Sequence, residues 1–186
     1  MRRLVERNDI VDFATYEDNR VASRPLAMAA KRLRRVDLHE NLTVLFENRD
    51  TLRYQIQEIM RVERIVREAD IVHEIDTYNA LLGSPGDIGC VLLIEVPDAD
   101  ERSRLLTEWR GLQARLYVSF ADGSKVFATF DPAQVGDDRI SAVQYLRFQV
   151  EGQTPVAIGT DFEGLESNLT FTSEQIAALT EDLARL

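Results

Sequence analysis

Apolar residues recur along this chain with two periods, and the balance between them changes near its middle. Ile10, Phe13 and Tyr16 stand at helical spacing, which predicts a short helix over 9–20 capped by Asp9 or Asp12. Leu26, Ala29, Ala30 and Leu33 supply one apolar face of a second helix over about 24–35, with Pro25 in its first turn. Val36 to Leu38 and Leu42 to Glu47 then alternate as strands around the turn His39-Glu40-Asn41. A third helix is expected from about Thr51 to Ala69, with Asp50 or Thr51 as its cap. Leu52, Tyr54 and Ile56 also alternate, so a return strand over 51–56 competes. The helix is preferred because its apolar stripe runs on past Ile56.

A short helix near 73–82 leads to the loop Gly83-Ser84-Pro85-Gly86-Asp87 and a strand over 89–96 that stops at Pro97. Asp98 and Glu101 have capping spacing before a helix holding Leu105, Leu106, Trp109 and Leu112. After 114 the period becomes two. Ala114–Phe120 and Lys125–Phe130 flank Ala121-Asp122-Gly123-Ser124, a hairpin signal. Strands near 141–150, 155–161 and 168–171 continue a largely antiparallel meander, and a helix over 173–185 closes it, with Thr172 and Gln175 at capping-box spacing. The expected fold class is α+β: a helix-rich N-terminal half packed on a mainly antiparallel sheet from the C-terminal half, as a single domain over 1–186.

Composition narrows the function classes. The chain is 45% hydrophobic and 29% charged, as an ordinary globular protein is. It has no run of about 18 apolar residues, and Met1 to Asp9 lack the apolar core of a secretory signal, so a cytoplasmic protein without a membrane span is expected. The net charge of −10 is uneven: residues 1–67 carry 14 Arg and Lys against 11 Asp and Glu, the remainder 8 against 21. The acidic part repels phosphate backbones, which disfavours nucleic acid as a partner. Lys31-Arg32-Leu33-Arg34-Arg35 reads best as the basic last turn of a helix. Cys90, the only cysteine, sits in an apolar strand pattern and reads as a buried thiol.

The polar residues of the third helix are the candidate site. With Ile56 set at 0° on the helical wheel, the apolar stripe runs from Val62 at about 240° to Met60 at about 40°; Gln55 and Glu63 fall within it, at about 260° and 340°, while Glu58, Arg61 and Arg64 fall outside or at its edge. A carboxylate on a buried face needs a partner. Glu63 is therefore expected to be shielded from water and to meet Arg67, Arg53 or Arg61 in a structural ion pair. Alternatively, Gln55 and Glu63 line a pocket or an interface, with Arg49, Arg53, Glu58, Arg61 and His73 as further candidates in the 49–73 region.

Other chemistries find little support. Asp70-Ile71-Val72-His73 has a carboxylate–histidine spacing known from di-iron bundles, but the second histidine, His39, follows Val36 at that spacing. No metal, cofactor or catalytic residue is expected. There is no Gly-x-Ser-x-Gly elbow, and Gly83-Ser84-Pro85-Gly86 lacks the lysine of a phosphate loop. Asp137-Asp138 reads as a solvated loop pair.

The run from Leu42 to Ile65, together with Tyr78-Asn79-Ala80-Leu81-Leu82, Leu92-Leu93-Ile94-Glu95-Val96-Pro97 and Ser141-Ala142-Val143-Gln144-Tyr145-Leu146-Arg147-Phe148, resembles a bacterial family of about this length known only as a domain of unknown function. The resemblance covers nearly the whole chain and carries no catalytic residue. Family members are often encoded beside rubrerythrin-like and iron–sulfur oxidoreductase proteins, which implies a redox-associated accessory role. The leading expectation is a non-enzymatic accessory protein that binds another protein. The alternatives are a small enzyme or metal-binding protein using the 49–73 region, and a self-associating structural protein.

Overall fold

The structure is a computed structural model that describes residues 3–136 and 138–185. Met1, Arg2, Asp137 and Leu186 therefore lie outside it, while Asp138 is exposed.

The two helices expected at 9–20 and 24–35 are one: α1, Phe13–Arg32, with Asp12 as its cap. Pro25 lies inside it. A proline there removes one backbone hydrogen bond and crowds the carbonyl four residues earlier. Here both Pro25 and Val21 are exposed, so water reaches the carbonyl that loses its donor. Leu26, expected in the core, is also on the outside.

A hairpin follows, β1 (Arg35–His39) and β2 (Leu42–Phe46). Helix α2 spans Arg49–Glu63, and its cap is Asn48, which accepts from the amides of Asp50 and Thr51. The helix stops earlier than expected. Arg64 adopts a left-handed conformation (φ 53°), and the Ile65 amide reaches back to the Met60 carbonyl at 3.0 Å. This is a Schellman-type ending in which Ile65 tucks against the Met60 side of the helix. Helix α3 then covers Glu68–Asn79, and a 3-10 turn, Ala80–Leu82, completes what was expected as a short helix over 73–82.

The rest comprises β3 (Ile88–Ile94), α4 (Ala99–Glu108), β4 (Leu116–Ser119), β5 (Lys125–Phe127), β6 (Val143–Phe148), β7 (Ala157–Thr160), β8 (Ser167–Thr170) and α5 (Ser173–Leu183). Thr172 and Gln175 form the expected capping box of α5. The strands make two four-stranded antiparallel sheets in the orders β1-β2-β3-β6 and β5-β4-β7-β8. The fold is α+β, with helices mostly in the N-terminal half and strands mostly in the C-terminal half. A single continuous meander is not formed, because β6 leaves its sequence neighbours and pairs with β3.

Strand alternation divides the first sheet into two faces. Val44 and Phe46 of β2, Cys90 and Leu92 of β3, and Leu146 and Phe148 of β6 point inward, into a core shared with Trp109, Leu116, Val118, Ile158 and Leu179. Phe171 meets Phe46 edge-on at 5.6 Å between ring centres. A second apolar cluster joins Leu52, Ile56 and Met60 of α2 to Ile71 and Ile75 of α3, with Val5 and Ile10 from the N-terminal segment. The outward face of the first sheet is only partly covered. It is on this face that the candidate site lies.

Candidate functional site

Three of the polar residues expected at the site, Arg49, Glu58 and Arg61, are tied into ion pairs and hydrogen bonds. Glu58 sits between α1 and α2, accepting from the Tyr16 hydroxyl at 2.8 Å, from Arg20 Nε at 2.7 Å and from Arg61 Nη2 at 3.1 Å. Partial burial works to raise its pKa, but the bonds from Arg20, Tyr16 and Arg61 prevail and hold it at about 2. Burial and the same carboxylate raise the pKa of Tyr16. Arg61 also reaches Glu17, at 3.4 Å. Arg49 bonds the Leu4 carbonyl at 3.1 Å and pairs with Asp9, fixing the N-terminal segment to α2. Gln57, which the sequence did not mark, is 3% exposed and bonds both the amide and the carbonyl of Val11.

Glu63 corrects the expectation made for it. It is exposed, and among the described residues it makes no ion pair with Arg67, Arg53 or Arg61. The wheel that placed it in the stripe assumed a helix running on to Ala69. In the structure α2 ends at Glu63, and Val62 and Val66, which belong to the same supposed stripe, are exposed with it. His73 is exposed on α3, and Arg53 is exposed beside a groove between α1 and α2. Among the described residues, no group of three or more His, Cys, Asp or Glu could hold a metal ion. No helix among them is long and apolar enough to cross a membrane.

Gln55 alone of the expected residues lines a cleft of ≈ 290 Å³ on the outward face of the first sheet. Its floor follows from strand register. Leu45, Val91 and Tyr145 align across β2, β3 and β6, and Leu93 and Val143 stand opposite each other in the row beyond. The next row includes Gly89, and a Cβ there would come within 2.0 Å of the Leu81 carbonyl oxygen. The missing side chain lets the 3-10 turn lie against β3, and with Tyr78 of α3 it forms one wall. Lys31, in the last turn of α1, and Gln55 form another, Nζ to Oε1 3.5 Å.

Glu47 stands at the end of the floor. It follows β2 directly and donates its amide to the Gly89 carbonyl at 2.9 Å, so its side chain follows the outward alternation of Thr43 and Leu45. It is buried, and the Thr51 hydroxyl donates to its carboxylate. Burial raises its pKa to about 7, against the opposing effects of that hydrogen bond and of Lys31 and Arg34. Burial raises the pKa of Tyr78 too, as does Tyr145, while a hydrogen bond with Gln55 opposes them. An apolar cleft with a few converging polar groups, one poised to titrate near neutrality, has the form of a binding site. The only signal for it in the sequence is a glutamate closing a mostly apolar strand. Cys90 lies under the opposite face of the sheet at 1% exposure, where burial and then Glu47 raise its pKa.

On the far side of α1, Val21 and Leu26 are 87% and 77% exposed. Ala22, Pro25 and Ala29 are exposed on the same face, and Leu26 borders the groove between α1 and α2, also ≈ 290 Å³, with Ala27, Arg53 and Tyr54.

The fold and cleft together define a class of two-sheet α+β proteins with helices over the outer face of the first sheet. The chain belongs to the family described as "Protein of unknown function (DUF3501)", whose pattern matches residues 4–183. It is similar to a crystal structure, at 1.90 Å, of a novel protein of unknown function from Burkholderia pseudomallei K96243, with a TM-score of 0.87 and 26% identity over 96% of this chain and 98% of that one. No curated protein matches the chain.

Proposed function

We propose that this is a non-enzymatic accessory protein that binds another protein, and that the outer face of α1 is its docking surface. The carrying observation is the exposure of Val21 and Leu26, at 87% and 77%, among the small residues Ala22, Pro25 and Ala29. Val21 and Leu26 stand about 140° apart around α1 with Ala22, Pro25 and Ala29 between them, an exposed apolar arc of the kind that marks contact surfaces. The groove beside Leu26 offers space for a partner's apolar side chain, and the exposed Arg24, Arg32 and Arg53 favour an acidic flank on it. The occupant we propose is an amphipathic helix of the partner laid along α1. A redox enzyme as that partner is the expectation carried by the family resemblance. The one thiol of this chain, Cys90, is buried, which fits a helper and not a carrier of redox chemistry.

A second reading, self-association through the same face, is favoured by charge. If two copies of α1 pack antiparallel about Pro25, Asp18 of each falls opposite Arg32 of the other. Capture from the native host with the wild-type chain, Val21→Glu and Leu26→Glu tests the docking surface, with Glu63→Lys as control. A protein retained by wild type and control and lost from both α1 variants supports the proposal; equal retention by all four overturns it. Light scattering distinguishes the readings. A dimer of the 21.2-kDa chain that is broken by Asp18→Arg and restored by adding Arg32→Asp gives the surface to a second copy.

A further inference from the structure

We propose that the cleft over β2, β3 and β6 binds a small apolar carboxylate, its head group bridging Lys31 and Glu47 and its body lying on Leu45, Val91 and Leu93. The site is separate from the α1 face and rests on different observations. Its floor is a continuous apolar surface fixed by three strands, not a loop that happens to fold over. Val143 and Tyr145, both 39% exposed, carry that surface out to the rim. A cleft of ≈ 290 Å³ has room for a small organic molecule.

The choice of head group follows from charge. Lys31 is one of two lysines in the chain. Its ammonium lies 3.5 Å from Gln55 Oε1 and 5.0 Å from the centre of the Tyr54 ring, and among the described residues it forms no ion pair with a carboxylate. Lys31 and Glu47 thus both line the cleft without closing on each other, and Tyr78 and Gln55 flank them. A ligand carboxylate between them accepts from the Lys31 ammonium and, when Glu47 is protonated, from its hydroxyl as well. While Glu47 is protonated, a ligand amine meets only the repulsion of Lys31. A neutral alcohol would leave that cation without an anion.

Glu47 gives the binding a pH dependence. The groups that interact with it are Thr51 from α2, Lys31 from α1, Arg34 before β1, Tyr78 from α3 and, from the other face of the sheet, Cys90 of β3. Behind it, Arg3, Arg49, Asp87, Asp182 and Arg185 line a small cavity of ≈ 20 Å³. An ionised Glu47 opposes an anionic head group and a protonated one donates to it. With a pKa of about 7, the protonated fraction falls about tenfold from pH 6 to pH 8, and affinity should follow it.

Titration of octanoate into the full chain, followed by amide chemical shifts, tests this directly. Saturable shifts are expected at Leu45, Val91, Leu93 and Tyr145, with binding about tenfold tighter at pH 6 than at pH 8. Lys31→Met should weaken binding roughly tenfold or more. Glu47→Gln should bind with little change between the two pH values. At pH 6, octylamine and octanol should bind at least about tenfold more weakly than octanoate. Lys31→Gln serves if the Met variant does not melt like the parent. Octanoate shifts that fail to saturate or fall elsewhere overturn the proposal. So does octylamine binding as tightly as octanoate, or unchanged affinity on loss of Lys31.

Discussion

Arg34 and Asp182, 148 residues apart, meet in a two-pronged ion pair, Nε to Oδ2 at 2.6 Å and Nη2 to Oδ1 at 3.0 Å. The side chains are 5% and 13% exposed. Asn48, the cap of α2, donates its side-chain amide to the same Asp182 carboxylate at 2.9 Å. One carboxylate on α5 thereby holds both the entry to β1 and the start of α2, the two segments that place Lys31 and Glu47 around the cleft.

Removing Asp182 leaves a buried guanidinium without its anion. Breaking a buried pair from one side costs about 3–5 kcal/mol. Asp182→Ala is expected to lose that much in denaturant unfolding at pH 7, whereas the exposed pair Arg104–Glu108 should yield about 0–1 kcal/mol on removal of Glu108. Equal effects would mean that Asp182 does not anchor α5.

Two glutamates should shape stability against pH in opposite directions. The pKa of Glu58 is depressed to about 2, so the stability it contributes is present above its unfolded value and lost as pH falls from about 4.5 through 2. The pKa of Glu47 is raised to about 7, so the folded chain holds its proton more tightly, and stability declines as pH rises from about 4.5 through 7. Glu58→Gln should cost about 2 kcal/mol at pH 6 and flatten the acid limb. Glu47→Gln should flatten the limb between pH 5 and 7.5, leaving the acid limb alone. Urea midpoints across pH 2–8 measure both; a Glu47→Gln profile parallel to wild type would contradict the burial argument.

Gly89 makes the cleft wall possible. Gly89→Ala puts a methyl group where the Leu81 carbonyl lies, and backbone on both sides leaves little room to yield. A loss of roughly 3 kcal/mol is expected, with chemical shifts moving at Leu81, Leu82 and Tyr78. A variant as stable as wild type would show that the 3-10 turn is not held against β3.

Much of this architecture is legible from local pattern. Asp98 before Leu105, Leu106 and Trp109 gave α4 and its buried face, and Thr172 with Gln175 gave the start of α5. The misses have physical causes. Pro25 is chemically at home in a first turn, and nothing local says that the helix begun after Asp12 runs on through it. Arg64 ends α2 in a conformation usually left to glycine, so no residue type announces the stop, and the stripe that puts Glu63 in the core is drawn past the end of the helix. Gln55 was found because it lies near the helix stripe. Glu47 and Lys31 were not, because the cleft exists only through the pairing of β2 with β3 and of β3 with β6, contacts between distant segments.

The docking face of α1 is the central claim, and site-directed photo-crosslinking in the native host tests it most directly. A photoreactive residue in place of Leu26 should give a covalent adduct of one defined mass, and the same residue in place of Glu63, exposed on α2, should give none. No adduct at position 26, or the same adducts from both positions, would contradict it.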